Sequence, residues 1–192
     1  MFKGYKIILA SSSPRRQQFF KDFDLSKKFE LEIRLKDVEE IYPEHLKAEE
    51  ITNFLAELKA KAFDNELANK ELLITSDTIV WLKDKALGKP KDYEDAFQIL
   101  KSLSNETHEV ITSVCFKTID SIETIFDVTK VTFNILSDEA IRHYIDTYKP
   151  FDKAGAYGIQ DWIGLIGISK IEGSYTNVVG LPTEKVYKYL TQ

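Results

Sequence analysis

The stretch Ile7-Ile8-Leu9-Ala10-Ser11-Ser12-Ser13-Pro14-Arg15-Arg16 runs from apolar residues through three hydroxyls into a proline and two arginines. Its first residues read as a buried strand. Ser13 suits an N-cap, and Pro14 suits the first helical position, where a missing N–H costs nothing. Arg15 and Arg16 then fall in the first turn, beside the positive end of the helix dipole, where each cation is unfavourable by about 0.3–1 kcal/mol. A polyanion held by the free amides, the serine hydroxyls and two guanidinium forks reverses that penalty. A solvated helix start that happens to be basic is the plainer alternative, and the motif alone leaves both open.

Outward from this strand, turn and helix, the same alternation continues. The first helix is expected from Pro14 to about Phe23. Residues 27–50 are charged, with a strand suggested by Phe29, Leu31 and Ile33 and a connecting loop over residues 36–44. Ile51, Phe54, Leu55, Leu58 and Ala62 recur at helical spacing, so residues 48–68 read as an amphipathic helix. Lys59 and Lys61 border its apolar stripe on opposite sides, and periodicity does not say which faces a site. Residues 72–82 form a buried strand with a polar break at Ser76-Asp77-Thr78. Asp92 caps a helix carrying Ala96, Phe97, Leu100 and Leu103 on one face.

Two long strand-like runs, 108–119 and 122–136, follow as a hairpin. Ser137 caps a helix over 138–148, and a glycine-containing loop spans 152–161. A strand pair is expected at 162–171 and 175–179, and Thr183 caps the closing helix. Alternating helices and strands of this kind make the fold α/β. No repeat or flexible linker interrupts the order, so residues 1–192 read as one domain folded as two lobes over a shared sheet.

A chain of 192 residues, 43 % hydrophobic and 12 % aromatic, has ample material for a core. Its 26 basic and 31 acidic residues give −5 without a basic stripe, which excludes an extended nucleic-acid surface and permits a small basic pocket. The single Cys115 forms no internal disulfide and is expected in the core, fitting a reduced, cytoplasmic setting. Lys3 and Lys6 precede an apolar run too short for a signal peptide, and no stretch approaches the ~20 residues of a spanning helix.

Asp77 is the second strong signal. It interrupts a strand that is otherwise apolar, and a buried carboxylate without partners costs several kcal/mol. It therefore needs a metal, a cation or a hydrogen-bond network, unless the strand merely ends there. Carboxylates suit Mg²⁺, which phosphate chemistry holds through one or two of them plus substrate. Glu39 or Glu40 can supply a second acid, though surface acids are common. Gly88-Lys89-Pro90 sets a lysine in a constrained loop, able to meet a phosphate as a point charge or simply to sit in solvent. In residues 153–160 two glycines and two alanines allow close backbone approach. Gln160 there carries the donor and acceptor that match the imide edge of uracil or thymine. The alternative is a plain turn entering a strand. Neither common nucleotide-binding fingerprint is present, and His45, His108 and His143 lack metal-ligand spacing.

Taken together, Ser13-Pro14-Arg15-Arg16, Ser76-Asp77-Thr78, Gly88-Lys89-Pro90, residues 153–160, Gly173-Ser174-Tyr175 and Val179-Gly180-Leu181-Pro182 resemble the Maf family of nucleoside triphosphate pyrophosphatases. The resemblance spans almost the whole chain in the family's order. It implies an elongated α/β fold with a central mixed sheet flanked by helices and a cleft between two lobes, similar to the inosine-triphosphate pyrophosphatases. It also implies hydrolysis between the α- and β-phosphates with a divalent metal, Mg²⁺ or Mn²⁺.

On the positions that match, Asp77 would activate water and sit near the metal, and Glu40 fits the family's early acidic position. Ser13, Arg15 and Arg16 would hold phosphates, with Lys59 at the family's motif lysine and Lys89 at the lysine before proline. Arg15, Thr78 and Gln160 match the dTTP/UTP-preferring branch. Asp161 departs from the family, which usually has glycine there, and Leu58 replaces a glutamate.

A triphosphate carries about four negative charges, which two arginines, two lysines and a divalent cation can neutralise while stabilising the leaving pyrophosphate. Whether Asp77 acts as base or as metal ligand stays open at this level. The expected protein is a house-cleaning dTTP/UTP pyrophosphatase that also accepts modified pyrimidine nucleotides, and the resemblance allows a homodimer. The alternatives are a purine-type enzyme acting on inosine or xanthosine triphosphate, and a non-catalytic nucleotide-binding regulator of cell division.

Overall fold

A computed structural model describes residues 2, 4–24 and 29–191. Lys3 and the first two residues of the 27–50 segment lie outside that set. The elements run β1 (Lys6–Leu9), α1 (Pro14–Asp22), β2 (Glu30–Ile33), α2 (Glu49–Lys61), β3 (Glu71–Leu82) and β4 (Lys85–Leu87). Then come α3 (Tyr93–Leu103), β5 (Thr107–Lys117), β6 (Ile122–Phe133) and α4 (Asp138–Tyr148). A 3₁₀ turn (Ala154–Ala156), α5 (Trp162–Gly167), β7 (Ile168–Glu172), α6 (Tyr175–Val179) and α7 (Thr183–Thr191) complete the chain.

Among the described residues the strands form a mixed sheet in the order β2-β1-β3-β5-β6-β7, with β4 paired to β3. The chain divides into two compact units. Met1–Asp77, Thr112–Asp127 and Gly180–Gln192 make the first, and Thr78–Ile111 with Val128–Val179 the second.

In the first unit β1 lies parallel to both β2 and β3, pairing Ile7 with Leu31 and Leu72, and Leu9 with Ile33 and Ile74. Successive side chains leave a strand on opposite faces, so a strand covered on both faces must be apolar throughout. Ile7, Leu9, Leu72 and Ile74 pack with Phe20 of α1 and with Val186 and Leu190 of α7. Ile8 and Leu73 point the other way, onto Ala56, Ala60 and Phe63. Burying an isoleucine or leucine side chain is worth about 1.5–3 kcal/mol, so the trio Ile7, Ile8 and Leu9 anchors this part of the sheet. Cys115 lies in the second of these cores, where burial pushes its thiol up to about 11.

In the second unit Val80, Val110, Val131 and Phe133 of the sheet pack with Phe97 and Leu100 of α3, Ile141 and Tyr144 of α4, and Ile163 of α5. Asp92 and Ser137 cap α3 and α4 as expected, their side chains accepting from the N–H of Asp95 and Ala140.

The strand expected over residues 72–82 is β3, which runs on through the polar triplet Ser76-Asp77-Thr78. Four expectations change. The helix expected to reach residue 68 stops at Lys61, because Lys36 Nζ donates to the Ala62 carbonyl (2.7 Å) and Asn65 turns into the left-handed region. Residues 162–167 are helical, not extended: Ile163 and Gly167 are the buried pair, four apart on one helix face, and a short apolar run looks alike in either state. Residues 175–179 form one helical turn because the Ser174 hydroxyl accepts from the Asn177 N–H, and the buried Asn177 amide donates to Val110 O and Thr129 Oγ1. Thr183, expected as a cap, is the first residue of α7.

Candidate active site

The end of β1 delivers three serines into α1. The Ser11 hydroxyl accepts from the Ser13 N–H, and Ser13 caps the helix by accepting from the Arg16 N–H at 3.5 Å. Gln17 reaches back to the Ser11 carbonyl and closes the turn. Arg16 then spans two distant parts of the first unit. Its Nε donates to the Gly180 carbonyl (2.8 Å) and a terminal nitrogen to the Ser76 carbonyl (3.0 Å). The arginine that opens the first helix is thereby bound to the residue preceding Asp77.

Asp77 is 7 % exposed, and its Oδ1 takes the Lys59 ammonium at 2.6 Å. The same ammonium lies 2.9 Å from Glu40 Oε1. Lys59 thus faces the site, which periodicity left open, while Lys61 pairs with Glu57 on the outer surface of α2. Burial pushes the Arg16 guanidinium below its ordinary range. Asp77 opposes that shift, the positive charge of Arg15 adds to it, and Glu40 opposes it again more weakly. Arg15, Arg16, Glu40, Lys59 and Asp77 form one electrostatic group in the first unit, beside the Ser13 cap. Two adjacent guanidiniums lie at a helix N-terminus beside one ammonium shared by two acids, donors and acceptors of the chemical kinds that suit an anion and a hard cation.

The other expected residues lie in the second unit. Thr78 is partly buried on β3, while Lys89 and Gln160 are exposed on loops. Those loops are joined by the Gly155 N–H donating to the Gly88 carbonyl at 3.0 Å. Gly155 has φ +68°, and a Cβ there would sit 2.6 Å from Val80 Cγ2, so only glycine fits. Asp161, where the resemblance leads one to expect glycine, accepts a hydrogen bond from the Tyr144 hydroxyl at 2.7 Å. Tyr144 in turn accepts from the Gly158 N–H at 3.0 Å. His108 is buried, with Nε2 2.7 Å from the Tyr157 hydroxyl, and burial holds its pKa down at about 4. His45 and His143 are exposed.

Sequence reasoning missed the Gly180 and Ser76 carbonyls as partners of Arg16, since no side-chain pattern marks a carbonyl 164 residues away. It missed Tyr144 too, which looks like any apolar-face aromatic of an amphipathic helix.

For a divalent cation the donor set is two carboxylates, Asp77 and Glu40, which converge on one ammonium. Among the described residues no group of three or more His, Cys, Asp or Glu gathers. Two hard oxygen donors completed by phosphate oxygens fit Mg²⁺ or Mn²⁺ and would not fit a closed, all-protein metal cage. No helix among the described residues is long and apolar enough to cross a membrane.

Residues 6–192 match the family model described as Maf-like protein. A dTTP/UTP pyrophosphatase of Flavobacterium johnsoniae is 70 % identical over 189 residues, 98 % of this chain and 95 % of that protein. Proteins of the same name from Flavobacterium psychrophilum and Christiangramia forsetii are 67 % and 53 % identical, covering 98 % and 100 % of this chain and 95 % and 96 % of their own lengths.

Proposed function

The chain belongs to the Maf family, and from that membership we propose that it is a nucleoside triphosphate pyrophosphatase that hydrolyses dTTP and UTP to the monophosphate and pyrophosphate. The observation that carries this reading is the single group formed by Arg15, Arg16, Glu40, Lys59 and Asp77. Arg15 and Arg16, with the Ser13 turn, bind phosphate oxygens. Lys59 holds both acids in place and adds positive charge where the pyrophosphate departs. Asp77 positions the attacking water and takes its proton. Asp77 and Glu40 would hold a divalent cation, Mg²⁺ or Mn²⁺, which when bound neutralises phosphate charge.

Lys89 serves as a further phosphate ligand, and Thr78 and Gln160 read the base, the Gln160 amide meeting the donor and acceptor of a pyrimidine imide edge. The lone buried Cys115 supports a cytoplasmic setting.

A steady-state panel of canonical and modified triphosphates with pyrophosphate detection, with and without Mg²⁺, tests the reading. dTTP and UTP are expected to give the highest kcat/KM, and preferential turnover of ITP would reject the substrate assignment. In Asp77→Asn hydrolysis is expected to fall at least a hundredfold while triphosphate binding is largely kept. Equal activity in the two proteins would remove Asp77 from the mechanism.

A further inference from the structure

Gln160 occupies the third position of a β-turn closed by the Asp161 N–H donating to the Gly158 carbonyl at 3.0 Å. Ile159, the second position, is buried in the core of the second unit, while Gln160 is exposed. Both ends of this turn meet on one phenol. The Tyr144 hydroxyl donates to Asp161 Oδ2 and accepts from the Gly158 N–H. Because an ionised carboxylate only accepts, Asp161 fixes the direction of the Tyr144 O–H and so turns its lone pair toward Gly158. Tyr144 is wholly buried on α4 and packs in the core of the second unit.

Two further features set this arrangement apart from ordinary loop packing. Asp161 precedes α5 at the N-cap position, where an aspartate ordinarily accepts from the helix's own amides, yet it makes no capping bond. Its carboxylate is diverted to Tyr144 at the helix's expense. The side-chain amide of Gln160 also folds back over Gly158. A Cβ at Gly158 would lie 2.8 Å from Gln160 Nε2 and 2.5 Å from Asp161 Oδ2.

We infer that Asp161, acting through Tyr144, is a positioning residue that holds the 158–161 turn and with it the Gln160 amide in one orientation, and so sets discrimination between pyrimidine bases. This rests on the reading of Gln160 as the residue that meets the base. Uracil and cytosine present the same ring with donor and acceptor exchanged at positions 3 and 4. A held amide distinguishes them, whereas a loose amide turns over and accepts both.

The test is the ratio of kcat/KM for UTP to that for CTP in Gln160→Ala, Asp161→Ala, Asp161→Asn and Tyr144→Phe. Asp161→Ala and Tyr144→Phe are expected to lower the ratio about tenfold, chiefly through a raised KM for UTP. Asp161→Asn keeps an oxygen that accepts from Tyr144 and is expected to stay within about threefold of the parent. A purely structural role would depress both nucleotides together and leave the ratio intact, which overturns the inference. Should Tyr144→Phe fail to fold, Asp161→Ala against Asp161→Asn decides alone. A ratio lowered in Gln160→Ala but intact in Asp161→Ala and Tyr144→Phe removes the positioning role and leaves the base reading standing. A ratio unchanged in Gln160→Ala removes the base reading and the inference with it.

Discussion

Lys59 is the residue on which the charge balance of the first unit turns, since one ammonium serves both Asp77 and Glu40. Replacing it with methionine keeps the stem that packs along α2 and leaves a nearly buried carboxylate without its cation. Removing one partner of such a pair costs about 3–5 kcal/mol when it is fully buried, and somewhat less here, where the lysine side chain is 17 % exposed. Lys59→Met is therefore expected to lose about 2–3 kcal/mol in urea unfolding, and Lys59→Met/Asp77→Asn to recover part of that loss. Additive losses would show that the two side chains are not coupled.

Arg16 gives a complementary case. Lysine cannot fork between the Ser76 and Gly180 carbonyls, so Arg16→Lys is expected to raise KM for the triphosphate and to lower the melting temperature, although net charge is conserved. The serine cap, the proline and the paired arginines were all legible in the sequence, because each acts within four residues of its neighbours. The bonds from Arg16 to carbonyls 60 and 164 residues away were not, because backbone acceptors carry no residue-type signature.

Among the elements, those with a strong period and a capping side chain matched expectation, as α3 behind Asp92 and α4 behind Ser137 show. The failures share a cause: short apolar segments whose state is decided by a distant partner. Residues 162–167 become α5 because Gly167 must lie against Leu136 and Phe133, where a Cβ would come within 2.9 Å of Leu136. α2 stops early because Lys36, from a different segment, satisfies its terminal carbonyl. Loops obey the same logic. Gly155→Ala combines positive φ with a collision against Val80 and is expected to destabilise by about 2 kcal/mol or more. Gly88→Ala, in the partner loop, meets open space at ordinary φ and is expected to change little. Thermal melts of the two variants check the contrast, and similar shifts would mean that the 154–156 turn relaxes freely.

For the molecule as a whole, the sequence made the α/β class and most of the three hydrophobic cores readable. The partition of the chain into two units was beyond it, since β3, β5 and β6 each give residues to both and no linker composition marks the crossing points. Acid stability depends on where the second unit keeps its buried histidine. The folded pKa of His108 is depressed to about 4 from an ordinary 6.5. Above about pH 6.5 the residue is neutral in both states. As pH falls toward 4 the unfolded chain takes up a proton that the folded chain refuses, so stability is lost across that window, by about 3 kcal/mol in total. Urea midpoints at pH 7 and pH 4.5 are expected to converge in His108→Gln, which keeps a donor for Tyr157 and does not titrate. An unaltered pH dependence would place the acid sensitivity elsewhere.

The second unit is built from two interior segments, whereas the first needs its final thirteen residues, Gly180–Gln192, to supply Val186 and Leu190 to its core and the Gly180 carbonyl to Arg16. During synthesis on the ribosome, the opening strand and helix must therefore wait for the Gly180–Gln192 segment before they acquire these contacts. Arg16 is thus made 164 residues before one of the two carbonyls that hold it, and loss of the Gly180 segment would leave its guanidinium half-anchored.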